Sequence, residues 1–331
     1  MSGIPVARAC MIAPWVEYAS KVGAPAEVLL VRAGIRPELL QEPAAVVPLK
    51  RALRWVELAC RSLGTEHLGF HVGRATPIEA LGPYGRVLAG ALTLGRYLHQ
   101  GLSLYGTVVV GQTIWLSAHG SRIRVNLGAA WEPDLGDYQA HLHFLAITAA
   151  NIRRFAGPAW TPTEISLGFK AREPIPDDAF GETRVVCRPG QTYLELGRNL
   201  LSLRPCQGDL SPAAGPATPP EPLPRDLAGL VALQIAALLP GRAVSVDVAA
   251  ETLGMSRRSL QRGLAAHGIS YTDLLAHVRL RRAAEWLERT DKPVVEIALD
   301  LGYADASNFT RAFRRQTGVS PSAFRQVARR S

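Results

Sequence analysis

Two short stretches of the chain concentrate side chains that can grip planar or anionic partners. Arg257, Arg258, Gln261 and Arg262 fall in the first, and Ser307, Asn308, Thr310, Arg311, Arg314 and Arg315 in the second. A guanidinium can bond guanine O6 and N7 together, and an Asn or Gln amide can do the same to adenine N6 and N7. Flanking Arg and hydroxyl groups can hold phosphates and set register. Elsewhere the chemistry is sparse. His67 and His71 stand four apart, a spacing that on a helix could hold a metal. No acidic or Cys partner sits at a matching spacing, so histidines on a helix surface are expected. His141 and His143 would diverge on a helix; packing is expected there, with a ligand cavity as the alternative. Trp115, Trp131, Tyr105 and Phe144 could line an apolar pocket, with ordinary core as the default. The sequence holds no phosphate-binding Gly-rich motif and no serine nucleophile elbow. No catalytic residue, metal site or cofactor is expected.

The elements that must position the two polar clusters repeat one grammar. In Val246–Gly268 a first helix carries small Ala249 and Ala250, ends at Leu253 and Gly254, and Met255 packs the turn. Ser256 stands where an N-cap belongs, its hydroxyl able to accept a backbone N–H. Leu260 and Leu264 then form the buried side of a second helix. In Val294–Arg315, Ile297, Ala298 and Leu301 form the first helix, Gly302 and Tyr303 turn, and Asp305 or Ala306 starts the next. At about 100° per residue, Phe309, Ala312 and Phe313 share one arc, which leaves the polar side chains on the rest. One such helix alone is better read as a solvated amphipathic helix. Two in tandem, each behind a helix and a Gly turn, reverse that preference.

Apolar residues make up 47% of the 331 and charged residues 20%, so most of the chain should fold around cores. The formal charge is +9, carried almost wholly by Arg. From Arg225 onward there are 16 basic and 10 acidic residues, an uneven excess that suits a polyanionic partner. Cys10, Cys60, Cys187 and Cys206 form no CxxC pair and read as reduced thiols. No leader-like apolar core lies between Arg8 and Lys21. The longest apolar runs, Leu230–Leu239 and Thr107–Leu116, fall well short of the ~20 residues a bilayer needs. A cytoplasmic protein without membrane contact is expected.

Gly208–Arg225 (GDLSPAAGPATPPEPLPR) has no apolar periodicity and reads as a semi-rigid linker. It separates an expected α+β domain, residues 1–207, from an expected all-α domain, residues 226–331. Helices are expected in the first over Leu49–Leu63, Val87–Gln100 and Tyr138–Phe155. Strands are expected over Ser103–Leu116, Arg122–Leu127, Glu164–Lys170, Thr183–Cys187 and Thr192–Leu196. In the second, helices are expected near Leu227–Leu238, Val246–Leu253, Arg257–His267, Tyr271–Arg289, Val294–Leu301 and Ser307–Gln316. The two helix-turn-helix units thus occupy about 246–267 and 294–316.

Residues 242–326 resemble the DNA-binding domain of the AraC/XylS family. The resemblance runs through Ala249, Leu253, Ser256, Leu260 and Arg262, then Tyr271, Arg279, Ala283 and Leu287. In the second unit it runs through Ile297, Ala298, Gly302, Tyr303, Ser307, Phe309, Arg311, Phe313, Gly318, Ser320, Pro321 and Arg325. Gly263 departs from it, where a larger helix former is usual, and costs up to ~1 kcal/mol of helix propensity. The resemblance implies two helix-turn-helix units at either end of the long helix Tyr271–Arg289, reading successive major grooves of double-stranded DNA. By position, Arg258, Gln261, Arg262, Ser307, Asn308 and Arg311 would read bases, and Arg257, Arg314 and Arg315 would hold phosphates. Residues 1–207 resemble the arabinose-binding type N-terminal domain of one branch of the family. That resemblance runs through Leu30–Leu40, Leu81–Leu98 and Ile165–Phe180, and implies sensing of a small molecule or dimerisation. The leading reading is therefore an effector-responsive activator, dimeric through its N-terminal domain and working with RNA polymerase. A regulator acting through protein contacts without a ligand is the alternative. An enzyme or sensor fused to the DNA-binding part would need a reactive Cys, and none of the four has an activating context.

Overall fold

Leu49, Leu53, Val56 and Cys60 recur at helical spacing, and the helix Leu49–Leu63 buries all four. The computed structural model describes residues 4–129, 135–168, 180–206, 218–239 and 244–328. It divides into two compact units, Met1–Pro43 with Val47–Leu223, and Pro224–Ser331 with Ala44–Val46.

The first unit is α+β. Its helices are α1 (Ala13–Lys21), α2 (Ala26–Ala33), α3 (Leu49–Leu63), α4 (Leu68–Ala75), α5 (Gly82–Ala89), α6 (Leu94–Tyr105) and α7 (Leu135–Ala156). Strands β1 (Val6–Arg8), β2 (Val46–Pro48) and β3 (Val109–Val110) form one small sheet in the order β2-β1-β3. Strands β4 (Gln112–His119), β5 (Arg122–Ala129), β6 (Glu164–Leu167), β7 (Arg184–Cys187) and β8 (Thr192–Gly197) form a second, ordered β4-β5-β8-β6-β7. It is antiparallel except for the parallel β6–β7 pair. Helix α7 packs closely on α4. A Cβ added to Gly69 would lie 2.0 Å from the Gln139 carbonyl oxygen, and one on Gly73 2.7 Å from that of His143. Gln139 closes the contact, accepting from Gly69 N at 2.8 Å and donating to Glu66 O at 2.7 Å.

Two expectations fail here. The single helix over Val87–Gln100 is two, because α5 ends at Gly90 and Thr93 caps a fresh start by accepting from Arg96 N at 3.2 Å. The strand over Ser103–Leu116 begins as helix: α6 runs on to Tyr105, and Gly111, at φ 102°, separates β3 from β4. The expected linker is only partly described, residues 208–217 lying outside the described residues. Further along, Glu221 is held, its carbonyl accepting from Arg8 Nη2 at 2.7 Å. Residues 169 and 170 of the expected strand Glu164–Lys170, and Trp131, also lie outside the described residues.

The second unit is all-α. It comprises α8 (Leu227–Leu238), α9 (Val246–Thr252), α10 (Arg257–Ala265), α11 (Tyr271–Arg289), α12 (Val294–Asp300), α13 (Ala306–Thr317) and α14 (Pro321–Ala328). Helices α8 and α11 have the expected bounds. Helix α14 was not expected, although Ser320 followed by Pro321 signals its start; Ser320 Oγ accepts from Ala323 N at 3.2 Å.

Candidate nucleic-acid interface

The two turns of the second unit are built alike. Gly254 N donates to Glu251 O at 2.9 Å, and Met255 N to Ala250 O at 2.9 Å. Forty-eight residues on, Gly302 N donates to Leu299 O at 2.9 Å, and Tyr303 N to Ala298 O at 3.0 Å. Both glycines take the left-handed conformation, φ 69° and 73°, which closes a helix end at no steric cost only without a Cβ. The second helix of each unit then starts on a side-chain cap. Ser256 Oγ accepts from Ser259 N at 3.1 Å, and Asp305 Oδ1 from Asn308 N at 2.6 Å. The cap falls one residue later in the second unit. Counted from the caps, Arg262 and Arg311 therefore hold the same position, as do Leu260 and Phe309, and Leu264 and Phe313.

Each of these helices buries one narrow stripe. Leu260 and Leu264 are buried on α10, and Phe309 and Phe313 on α13. Arg257, Arg258, Gln261 and Arg262 are exposed on α10; Ser307, Arg311, Arg314 and Arg315 are exposed on α13, with Asn308 partly so. The structure thus brings the expected residues onto two solvent-facing helix faces. They differ in order. On α13, Asp305 Oδ2 accepts from Asn308 Nδ2 at 2.8 Å, and Asn308 Oδ1 accepts from Arg311 Nη2 at 2.6 Å. On α10, the side-chain ion pair runs back to the preceding helix, Arg257 Nη1 to Asp247 Oδ2 at 3.3 Å.

The first unit holds a separate feature, a cavity of about 150 Å³ walled by α1, α3, α5, α6, α7, β4 and β5. Tyr105, Phe144 and His143 line it, so His143 departs from the packing expectation. His141 does not line it and instead bonds Thr192 Oγ1 at 2.6 Å. Burial pushes both imidazoles down to about 4. Trp115 is 46% exposed on β4 and takes no part. His71 is exposed on α4 as expected, but His67 is buried at that helix's N-cap rather than on its surface. No cluster of His, Cys, Asp and Glu suited to a metal occurs among the described residues.

Residues 23–204 match the family model for the N-terminal arabinose-binding domain of AraC transcription regulators, and residues 249–327 match that of a helix-turn-helix domain. The chain belongs to the AraC family of transcription regulators. Among its relatives, the HTH-type transcriptional regulator VirS of Mycobacterium tuberculosis is 27% identical over 335 residues, covering 96% of each chain. The ornithine utilization regulator of Pseudomonas aeruginosa is 46% identical over 88 residues, 27% of this chain and only 26% of that protein. The regulatory protein SoxS of Escherichia coli is 38% identical over 85 residues, 25% of this chain and 78% of SoxS. These relatives are transcription regulators, not enzymes, and DNA binding belongs to the helix-turn-helix domain.

Several positions through which this AraC-family chain resembles its relatives turn out to brace the units. Arg279 Nη2 donates to Gly302 O at 3.1 Å, and its guanidinium lies 4.7 Å over the Tyr303 ring. Tyr271 OH donates to Val244 O at 2.9 Å. Arg325 donates to Lys292 O. At the departure, Gly263, an added Cβ would lie 2.3 Å from Leu227 Cδ2 of α8. No helix among the described residues is long and apolar enough to cross a membrane.

Proposed function

We propose that this regulator reads two successive major grooves of one operator, one with α10 and one with α13. Arg258, Gln261 and Arg262 contact bases in the first groove, and Ser307, Asn308 and Arg311 in the second. Arg257, Arg314 and Arg315 hold phosphates, which fixes register without reading sequence. The observation that carries this reading is the duplicated turn: the same hydrogen bonds present two capped helices whose exposed faces are rich in Arg. The chain acts as a cytoplasmic activator with RNA polymerase. It dimerises through residues 1–207, joined through linker 208–225 to DNA-binding residues 226–331. A small-molecule effector seated in the N-terminal unit modulates it, a reading supported by the match to an effector-domain family and by the cavity.

The test is genome-wide mapping of bound sites, followed by footprinting, for the wild type and an Arg262→Ala, Arg311→Ala double variant. The expected result is discrete sites, lost in the variant, each protected on one DNA face over two turns about 10 base pairs apart. Protection of a single groove would overturn the two-groove reading. Genes beside the sites that are silenced in a deletion strain support activation; genes that are raised overturn it.

A further inference from the structure

The cavity of the first unit has a wall of unusual composition for a site named after a sugar. Apolar side chains make most of it, among them Trp15, Leu53, Leu98, Val125 and Phe144. None of its lining residues is Asp, Glu, Lys or Arg. Two buried polar atoms at this wall have no hydrogen-bond partner among the described residues, Gln112 Nε2 and His143 Nε2. Gln112 is 9% exposed, and its amide is oriented by Tyr105, which also lines the cavity, Oε1 accepting from Tyr105 OH at 3.0 Å. That bond leaves the amide N–H₂ as the open donor. The His143 ring stacks on Trp15 with centroids 4.7 Å apart. Buried polar groups left without partners are costly and rare, so a pair at one cavity wall asks for a third party.

We propose that this cavity binds a small, uncharged, largely apolar effector bearing one hydroxyl or carbonyl group, which accepts from Gln112 Nε2 and meets His143 Nε2. The inference rests on the effector-responsive reading above and narrows it to a ligand class. A volume of about 150 Å³ is of the order that holds one benzene ring. A carboxylate would be buried with no countercharge at the wall. With burial driving His143 down to about 4, the imidazole supplies none near neutral pH. A pentose bears a hydroxyl on almost every carbon. Tyr84 OH is turned to Gly101 O at 3.3 Å and Tyr105 OH to Gln112, so Tyr97 and Thr148 are the remaining hydroxyls at the wall. Most of a sugar's hydroxyls would face apolar groups there, a burial that water does not compensate.

The experiment uses the full chain and four probes: toluene, benzyl alcohol, benzoate and L-arabinose. Calorimetry measures binding, melting shifts check it, and DNA affinity is measured with each probe present. Benzyl alcohol should bind about tenfold tighter than toluene, the effect of one added hydrogen bond, with no saturable binding of benzoate or arabinose. Gln112→Leu should erase the tenfold preference while toluene still binds. Ala140→Leu, at a residue that lines the cavity, should abolish both without lowering the melting temperature, and retained toluene binding shows that Gln112→Leu is folded. Preferential binding of benzoate or arabinose, or a preference for benzyl alcohol unchanged by Gln112→Leu, overturns the ligand class. Failure of all four to bind also overturns it. The wider reading is judged separately, by a metabolite panel: any compound that stabilises the protein and alters DNA affinity sustains it, and none doing so defeats it.

Discussion

The two helix-turn-helix units share a turn and differ in what stands behind it. Both close on a left-handed glycine with matching hydrogen bonds. In the first, α10 is held by Leu260 and Leu264, and a Cβ on Gly263 would lie 2.3 Å from Leu227 Cδ2. In the second, Tyr303, Phe309, Phe313 and Phe324 form a chain of rings with centroids 5.5, 5.6 and 5.5 Å apart. Asp305, Asn308 and Arg311 form a matching chain of hydrogen bonds on the outer face. A shared backbone motif thus carries one helix whose outer-face side chains bond to one another and one whose outer face is tied back to the preceding helix.

Core truncation should expose that difference most strongly. Phe313→Ala removes a side chain that is 2% exposed and two ring contacts, and should cost about 3–5 kcal/mol. Leu264→Ala should cost about 1 kcal/mol less, since it forfeits no aromatic pairs. Amide exchange in α13 and α10 of the full chain reads each loss locally. Equal losses would mean that the ring chain adds nothing beyond buried area.

At the DNA surface the order should persist at smaller scale. Arg262→Ala and Arg311→Ala should each cost about 1–3 kcal/mol of specific binding. Arg311 should lie at the upper end, because a side chain already held by Asn308 loses less freedom on binding, worth roughly 0.5–1.5 kcal/mol. Anisotropy titrations at one salt concentration, on a mapped operator, measure both; a larger loss for Arg262 would reverse the comparison. Next come the caps. Ser256→Ala removes the cap acceptor and a bond to the Ser259 hydroxyl and should cost about 1 kcal/mol, and Asp305→Ala nearer 2 kcal/mol, since it removes a charged acceptor that also holds the Asn308 amide. If Asp305→Ala leaves the affinity loss of Arg311→Ala unchanged in a double-variant cycle, the hydrogen-bond chain does not position Arg311.

Much of the second unit was legible because its signals are local. Ser256, Asp305, Gly254 and Gly302 punctuate helices whose apolar residues recur at 3–4 residue steps, and α10 and α13 start within one residue of expectation. The same local logic misread Val87–Gln100, where the Gly90 stop and the Thr93 cap lie inside an otherwise continuous apolar period. The cavity was legible only in part: Tyr105, Phe144 and His143 stood among its candidates, and Trp15 and Gln112 did not. Trp15, Gln112 and His143 come from separate elements, and the proximity of α4 and α7 depends on Gly69 and Gly73 meeting a backbone more than sixty residues away. Periodicity says which face of a helix is buried, not against what.

Gly263 gives the finest test of the comparison. Helix propensity alone predicts that Gly263→Ala stabilises α10 by about 1 kcal/mol. The new Cβ, however, would lie 2.3 Å from Leu227 Cδ2, so the Leu227 side chain must rotate away. That end of a leucine is movable, and an off-rotamer shift costs of order 0.5–1.5 kcal/mol, comparable to the gain. The net change in the wild type should therefore stay within about 0.5 kcal/mol. In a Leu227→Ala background the obstacle is gone, and the same substitution should recover the full ~1 kcal/mol. Equilibrium urea unfolding of the full chain, monitored by exchange in α10, completes the cycle. A full gain in the wild type would show that α8 yields without cost. A gain appearing only in the double variant would identify Gly263 as the residue that trades helix stability for close packing of α8.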